Sequence, residues 1–314
     1  MRRRLFLTTA VAAAGVTTRG WAQPASLPSI GFLVAGDPEP AWSMFRKAMT
    51  SLGHIDGRTI KLEYRVGAGA QLDELASELV RLKVLVIVAV LTPAIAAAKS
   101  ATSTIPIAAM GGAPDTGLVK NMARPEGNIT GVFSPGTMLA GKGVQLFHEI
   151  RPEITSFGVV LNGADPFHVP LLRDVEAVTR SQKLELVQAV LQSGDELAAA
   201  LDVMVKRGVG GVLIHPSLGL DKAAALALER RLPAISHRRE FAERGGLMSY
   251  GADFVDLSRI LARQVDQLMK GAKPESVPMQ QATRFELVVN RRTARELGIT
   301  LPPMFLARVD EFVE

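Results

Sequence analysis

The chain of 314 residues contains no cysteine. Disulfide bonds, thiol catalysis and cysteine-based metal sites are therefore excluded, and so is a lipid anchor on an N-terminal cysteine. Beyond residue 22, no apolar run reaches about 18 residues without a charge or a helix breaker, so we predict no membrane-spanning helix there. The sequence predicts a soluble protein once an export signal has been removed.

A strong excess of one charge is also missing from most of the chain. The full sequence has a formal net charge of +5, but four arginines and no acid lie within its first 22 residues. Without that segment the net charge is only +1. Because a large basic field is the usual mark of nucleic-acid binding, we expect no nucleic-acid partner.

Residues 1–22 contain the three parts of an export signal. Arginines follow Met1, an alanine-rich apolar stretch runs to about Val16, and Ala22 ends a small-residue cleavage site. The apolar stretch is shorter than the roughly 20 residues that span a bilayer. The pair Arg3-Arg4 before Leu5-Phe6-Leu7 favours twin-arginine export, with the general secretory route as the alternative. We predict cleavage after Ala22 and a periplasmic location.

Beyond the signal, short β-rich runs such as Ser29–Ala35 and Val84–Val90 alternate with amphipathic helical stretches. This alternation is typical of βαβ units and parallel sheets, and a second series starts near Phe157. We predict an α/β fold of two doubly wound parallel-sheet lobes with a hinged cleft between them. The predicted N-terminal lobe comprises residues 27–132 and about 251–275, and the C-terminal lobe comprises 133–250 and about 276–314.

The loops that follow the predicted strands carry polar and aromatic residues. Ligands of open α/β sheets bind beyond the carboxyl ends of the strands, so these loops predict the binding cleft. The candidate ligand-binding residues are Trp42, Thr92, Pro93, Gly112, Asp115, Ser134, Asn162, His215 and Tyr250.

Several of these candidates have an equally good structural interpretation. Thr92 precedes Pro93 at a helix start, where free N–H groups and a hydroxyl bind a carboxylate, although a simple N-cap needs the same hydroxyl. Trp42 suits the apolar face of its helix as well as it suits stacking on a ligand. His215 follows a predicted strand, which suits a position in the cleft, but a surface or packing role explains it equally well.

Motifs for catalysis, cofactors and metals are incomplete. Gly136–Gly143 resembles a phosphate-binding loop but has glycine where the Mg²⁺-binding hydroxyl belongs. Ser134 lacks the glycine two positions earlier that a nucleophile elbow requires. The five histidines lack metal-ligand spacing. The motifs therefore identify no catalytic set, and we predict no cofactor and no metal.

Four long stretches carry a resemblance to a known family: Leu52–Arg65, Thr116–Gly131, Gly245–Gly251 and Phe285–Asn290. They resemble the periplasmic substrate-binding proteins of ABC transporters with the type I binding-protein fold, in the branch that includes tryptophan-binding members. The resemblance implies a two-lobed receptor that is not an enzyme and that delivers a small solute to a membrane permease. We expect the protein to be a monomer.

The resemblance also implies that the loops bearing Thr92, Pro93, Ser134 and Tyr250 line the cleft. The sequence departs from the family pattern at Gly112–Asp115, where Gly-Asp-Pro-Val is usual, so its acid is displaced by two positions. We expect the ligand to be an amino acid or a related small carboxylate, aromatic or branched. The alternatives are an exported sensing module for a membrane receptor and an exported α/β hydrolase. A hydrolase needs a serine elbow with a partnered histidine, and the sequence reveals neither.

Overall fold

A computed structural model describes residues 27–37 and 39–314. The predicted export signal at residues 1–22 lies outside the described residues. The strands are β1 Ser29–Ala35, β2 Lys61–Gly67, β3 Val86–Val90, β4 Ile107–Met110, β5 Ile129–Phe133, β6 Ser156–Asn162, β7 Glu185–Leu191, β8 Val212–Ile214, β9 Ala234–Ser236, β10 Met248–Ala252, β11 Gln280–Gln281, β12 Phe285–Asn290 and β13 Glu311–Val313. The α-helices are α1 Ala41–Ser51, α2 Gln71–Arg81, α3 Thr92–Ala101, α4 Gly136–Ile150, α5 His168–Ser181, α6 Leu197–Lys206, α7 Leu220–Glu229, α8 Arg239–Glu243, α9 Phe254–Met269, α10 Arg291–Glu296 and α11 Pro303–Leu306.

The strands form two sheets, each with helices on both faces. The first sheet has the order β11-β5-β4-β3-β1-β2, with α1 and α9 packed on one face and α2 and α3 on the other. The second sheet has the order β13-β12-β10-β9-β8-β6-β7 and lies between α4 and α5 on one face and α6 and α7 on the other. Neighbouring strands run parallel except β10 and β12. The predicted α/β fold with two doubly wound lobes is thereby confirmed, and we call the two sheets with their helices the first and second lobes.

Local sequence pattern explains these elements. All five residues of β3 (Val-Ile-Val-Ala-Val) are buried, as expected for a central parallel strand covered by helices on both faces. The helix α9 is capped by Asp253, the residue before it, whose carboxylate accepts hydrogen bonds from the backbone N–H groups of Val255 and Asp256. Its buried stripe includes Leu257, Leu261, Val265 and Leu268, which cover the first sheet. Within residues 27–37 and 39–314, no helix is both long and apolar enough to cross a membrane.

Three connections cross between the lobes. They follow β5 at residues 134–135, follow β10 at Asp253, and follow β11 at residues 282–284. The last crossing differs from the one expected near residue 275, because β11 pairs with β5 and residues up to 281 remain in the first lobe. The side chain of Gln264 in α9 holds the segment before β11 next to β5, since its Nε2 donates to the backbone oxygens of Gly131 and Pro278 at 3.1 and 3.0 Å.

Candidate functional site

A cavity of about 70 Å³ lies between the lobes, at the carboxyl ends of their strands. This is the position where open parallel sheets bind ligands. The cavity is lined by Leu91, Thr92, Gly111 and Gly112 of the first lobe, by Asp165, Phe167, His215, Pro216, His237 and Arg238 of the second, and by Ser134, Gly136, Ala252 and Phe254 at or next to the crossings.

The start of α3 offers backbone donors to this cavity. Leu91 precedes the helix with φ 68° and ψ 153°, a conformation that is costly for a residue with a side chain and that is found chiefly at functional sites. No side chain caps α3, and Pro93 has no N–H of its own. The N–H of Thr92 and its hydroxyl, which are buried beside the cavity, are therefore suited to hold an anionic group.

A second helix start, that of α4, also borders the cavity. Gly136 is its first residue, Pro135 precedes it, and no side chain caps this end either. The partial positive charge at the start of a helix attracts anions. Two uncapped helix starts, one from each lobe, therefore converge on one cavity, with the hydroxyl of Ser134 next to the second.

A chain of hydrogen bonds orients His215, which follows β8 and lines the cavity on the side of the second lobe. The amide nitrogen Nδ2 of Asn162 lies 3.0 Å from Ser217 Oγ, and Ser217 Oγ lies 2.7 Å from Nδ1 of His215. The other imidazole nitrogen, Nε2, lies 3.9 Å from Oδ2 of Asp165. Oδ1 of the same carboxylate accepts a hydrogen bond from the backbone N–H of Phe167 at 3.0 Å.

His237 lies next to His215, with their ring centroids 5.6 Å apart. Burial lowers the pKa of His215, although Asp165 opposes the shift. Burial, together with His215 and Arg238, lowers the pKa of His237 to about 3. Both imidazoles are therefore neutral near pH 7, and within the described residues the buried Nδ1 of His237 has no hydrogen-bond partner.

Arg238 adds a positive charge to the cavity wall. Its Nε donates to Oε2 of Glu240 at 2.9 Å, and both side chains are almost fully buried. Its guanidinium carbon lies 4.0 Å from the ring centroid of Phe254, the first residue of α9. This cation–π contact joins the second lobe to a helix of the first lobe, immediately beside the cavity.

The ring of Phe167 fills the space between the lobes. A Cβ atom on Gly112 would lie 2.5 Å from Phe167 Cδ2, and one on Gly136 would lie 2.9 Å from Phe167 Cζ. Only glycine permits so close an approach at these two positions. A ligand site usually has a volume of about 300–1,000 Å³, so the cavity is small and the lobes are in a closed arrangement.

An ion pair at the cleft rim also joins the lobes. Nη1 of Arg244, which follows α8, lies 2.9 Å from Oδ2 of Asp37 after β1 and 3.1 Å from Oδ2 of Asp221 in α7. Both exposed carboxylates raise the pKa of Arg244, against the effect of burial. The bridge and the contact of Phe167 with Gly112 are thus two contacts that hold the lobes together.

The structure brings together most of the residues predicted to bind ligand. Thr92, Gly112, Ser134 and His215 line the cavity. Pro93 and Asn162 line a separate groove of about 260 Å³. This groove adjoins the cavity, since Thr92, next to Pro93, and Asp165, next to the groove residue Pro166, line the cavity itself. These six residues stay predictions for ligand binding, now with a common location.

Three predicted residues lie elsewhere. The ring of Trp42 packs 4.5 Å from that of Tyr64 and 5.1 Å from that of Phe32, in the core of the first lobe. Tyr250 packs on the core of the second lobe, where burial raises the pKa of its hydroxyl. Asp115 is half-buried outside the cavity lining, and burial and then Asp174 raise the pKa of its carboxyl.

Ten of the fourteen residues that line the cavity were not among those predicted, and five of these ten carry charged, polar or aromatic side chains: Asp165, Phe167, His237, Arg238 and Phe254. Oδ1 of Asp165 accepts from the N–H of Phe167 two residues later, which is a local turn contact and not a cap of α5. Asp165 and His237 each follow a strand, which was a usable signal. Phe167 and Phe254 adjoin helix starts and carry no comparable pattern in the sequence.

A serine does contact a histidine here, which the sequence did not reveal. Ser217, His215 and Asp165 are the residue types of a hydrolytic triad, but a triad needs the acid hydrogen-bonded to the second imidazole nitrogen. The separation of 3.9 Å is too long for such a bond. Among residues 27–37 and 39–314, no group of three or more histidine and acidic side chains is arranged to hold a metal ion.

Comparison with known proteins agrees with this geometry. The family described as "ABC transporter substrate binding protein" matches residues 40–313. The "Tyrosine-binding protein" of Clostridioides difficile (strain R20291) is 25% identical over 267 residues, which cover 81% of this chain and 75% of that protein.

Solved structures share the fold. The ABC domain from Streptococcus pneumoniae in complex with L-Trp has a TM-score of 0.83 at 24% identity, covering 92% of this chain and 100% of that one. A conserved domain protein from Vibrio cholerae has a TM-score of 0.84 at 24% identity, covering 91% of this chain and 99% of that one. The chain therefore belongs to the ABC transporter substrate-binding protein family, which comprises binding proteins and not enzymes.

Proposed function

We infer that this protein is the periplasmic solute-binding component of an ABC-type uptake system and that it binds an amino acid or a related small carboxylate between its lobes. One observation carries the ligand class. The uncapped starts of α3 and α4, with Thr92 and Ser134, converge on one interlobe cavity. The tyrosine-binding relative and the L-Trp complex support an amino acid as the ligand.

In the proposed mechanism the ligand binds while the lobes are apart. The helix starts and Arg238 hold its carboxylate, because each presents positive charge at the cavity wall. Closure then seats Phe167 against Gly112 and forms the ion pair of Arg244 with Asp37. The closed form is the one that a membrane permease would recognise, so ligand binding shifts the population toward it.

Aromatic and branched ligands fit this proposal through the rings that line the cavity. The rings of Phe167 and Phe254 take the stacking role that the sequence assigned to Trp42 and Tyr250. A ligand as large as tryptophan needs more room than about 70 Å³, so its complex would be less fully closed. Smaller amino acids fit with less movement of the lobes.

A thermal-shift screen of the purified protein against amino acids, aromatic acids, sugars and small peptides tests this function. A ligand at about 100 times its Kd adds about 2.7 kcal/mol to the free energy of unfolding and raises Tm. Thr92→Val should weaken binding of the hit, whereas Thr50→Val should not, because the hydroxyl of Thr50 is exposed and bonds only to its own helix. Chemical turnover of the hit would contradict a binding protein, and the absence of any amino-acid or carboxylate hit would contradict the ligand class.

Location and partner need separate experiments. If residues 1–22 direct twin-arginine export, the periplasmic fraction should contain a chain that starts at Gln23, and replacing Arg3 and Arg4 by lysine should abolish it. Export that survives the replacement would indicate the general secretory route. If a permease takes the ligand from this protein, deletion of the protein should abolish uptake of the labelled hit, and uptake that is unchanged would favour a sensing role.

A further inference from the structure

We propose that the cavity recognises a hydroxyl group on its ligand, through the Nε2–H of His215 and the Oδ2 of Asp165. The ligand class is then a hydroxylated amino acid or carboxylic acid. This inference rests on the proposed function and narrows it. Both side chains are almost fully buried, and both line the cavity.

The direction of the hydrogen bonds around His215 follows from one fixed amide. Oδ1 of Asn162 accepts from the backbone N–H of Ala164 at 3.0 Å, so its Nδ2 is the atom that faces Ser217 and donates to Oγ. Because Ser217 Oγ accepts that hydrogen bond, its own hydrogen is free to point at Nδ1 of His215, 2.7 Å away. Nδ1 is thus an acceptor, and the ring proton of the neutral imidazole is on Nε2.

Asp165 supplies the complementary acceptor. Its Oδ1 is held by the backbone N–H of Phe167, which leaves Oδ2 facing His215 Nε2 at 3.9 Å. That separation is too long for a direct hydrogen bond, but an atom between them can lie about 2.8 Å from each. The atom must accept from an N–H and donate to a carboxylate.

A hydroxyl group does both, whereas an ammonium only donates and a carboxylate only accepts. A ligand carboxylate would also be repelled by Asp165, and the helix starts and Arg238 offer it a better place. The charged and titratable groups near the His215 imidazole are Asp165, His168 and His237. Burial lowers the pKa of His215, so near neutral pH the ring carries a single proton and Nδ1 stays the acceptor for Ser217.

Calorimetry with matched pairs of compounds tests this inference. The pairs are L-threonine and L-valine, L-serine and L-alanine, L-tyrosine and L-phenylalanine, and L-lactate and propionate. Within each pair that binds, we expect the hydroxylated member to bind at least about tenfold more tightly, because its partner leaves a buried donor and acceptor unsatisfied. Equal affinities within the pairs would overturn the hydroxyl site while leaving a binding protein for small carboxylates. If none of these compounds binds, amino-acid and small-carboxylate binding itself is contradicted, and the hydroxyl site with it.

Asp165→Asn gives a sharper test. The amide can keep the Oδ1 bond to the N–H of Phe167 while its nitrogen replaces the acceptor that faces His215 with a second donor. The preference for the hydroxyl should then fall below about threefold, since the hydroxyl has no acceptor left. The matched control is Asp56→Asn. Asp56 lies in an exposed loop, and its Oδ1 likewise accepts from a backbone N–H, that of Leu62 in β2.

A second variant guards against misfolding of the first. Ser217→Ala removes the donor to Nδ1 of His215, so the ring proton is no longer confined to Nε2 and the preference should weaken. Ser181→Ala is its control, because that hydroxyl is exposed and donates only to Val178 O within its own helix. A hydroxyl preference that stays at its wild-type value in both folded variants would overturn the proposal.

Discussion

Gly112→Ala should impair closure of the lobes while leaving each lobe folded. Gly112 is buried at the end of the first lobe, and its φ lies outside the left-handed region, so its backbone accepts a side chain. The added Cβ would lie 2.5 Å from Phe167 Cδ2 and 3.2 Å from Thr92 Oγ1. Phe167 packs in the core of the second lobe, and its ring therefore has little freedom to move aside. The overlap between the new Cβ and the Phe167 ring is therefore removed most readily by separation of the lobes.

The magnitude follows from the overlap. Overpacking of this kind costs about 1–3 kcal/mol. Because the overlap exists only when the lobes are closed, the cost reduces ligand affinity by about 5- to 150-fold, at about 1.4 kcal/mol for each tenfold change. Gly143→Ala in α4 is the matched control. Its Cβ would meet Ile235 Cδ1 at 3.5 Å, an ordinary contact, and alanine favours the helix by up to about 1 kcal/mol.

Calorimetric titration of the four proteins in a double-mutant cycle with Phe167→Ala measures this coupling. When the ring is absent, Gly112→Ala should have little effect on affinity, so the coupling between the two positions should lie between about 0.5 and 3 kcal/mol. Small-angle scattering of the ligand-bound proteins should show a larger radius of gyration for Gly112→Ala alone. The reasoning is refuted if Gly112→Ala binds ligand as tightly as the wild-type protein, or loses the same affinity with and without the ring.

Three further perturbations test other parts of the molecule. Arg244→Met removes the bridge to Asp37 and should weaken ligand binding by no more than about fivefold, since half-exposed ion pairs contribute less than about 1 kcal/mol. The effect should vanish at high salt, and a larger or salt-independent loss of affinity would contradict this. Gln264→Leu leaves two backbone carbonyls without their donor and should lower the free energy of unfolding by about 2–3 kcal/mol in urea titrations. An unchanged urea midpoint would contradict this. His237 has its pKa lowered to about 3 in the folded protein, against about 6.5 in the unfolded chain. The unfolded state therefore binds more protons between these values, so the free energy of unfolding should fall by up to about 1.4 kcal/mol per unit as pH drops below about 6.5, and His237→Phe should reduce that slope.

The fold could be predicted where a regular pattern extends over many residues. The buried run of β3 and the apolar stripe of α9 each identify an element and the face that it buries. The two-residue strand β11 has no such pattern, and it lies just beyond the lobe crossing that was predicted near residue 275. Its pairing with β5 depends on a partner nearly 150 residues earlier in the chain, which local sequence does not reveal.

The aromatic part of the site was harder to predict than its polar part. Trp42 and Tyr250 were candidates for the ligand because they are aromatic and lie near predicted strand ends, but both are half-buried and pack against the lobe cores. Helical periodicity had offered the core interpretation for Trp42, and that interpretation describes its position. Phe167 reaches the cavity because Gly112 and Gly136 leave room for its ring, and those glycines lie 55 and 31 positions earlier in the sequence.

Asp165 shows why the polar part was predicted only in outline. A short acidic side chain before a helix is typical of a local contact with the backbone, and one oxygen of Asp165 has that role, since it accepts from the N–H of Phe167. The other oxygen faces His215, 50 positions later, and the imidazole is oriented by Ser217, which follows β8, and by Asn162 at the end of β6. Sequence pattern assigns a residue to one local role, whereas a carboxylate has two oxygens and can serve two neighbours. The site residues that local pattern misses are accordingly those whose second role depends on a distant partner, and the hydroxyl site proposed for Asp165 and His215 is of that kind.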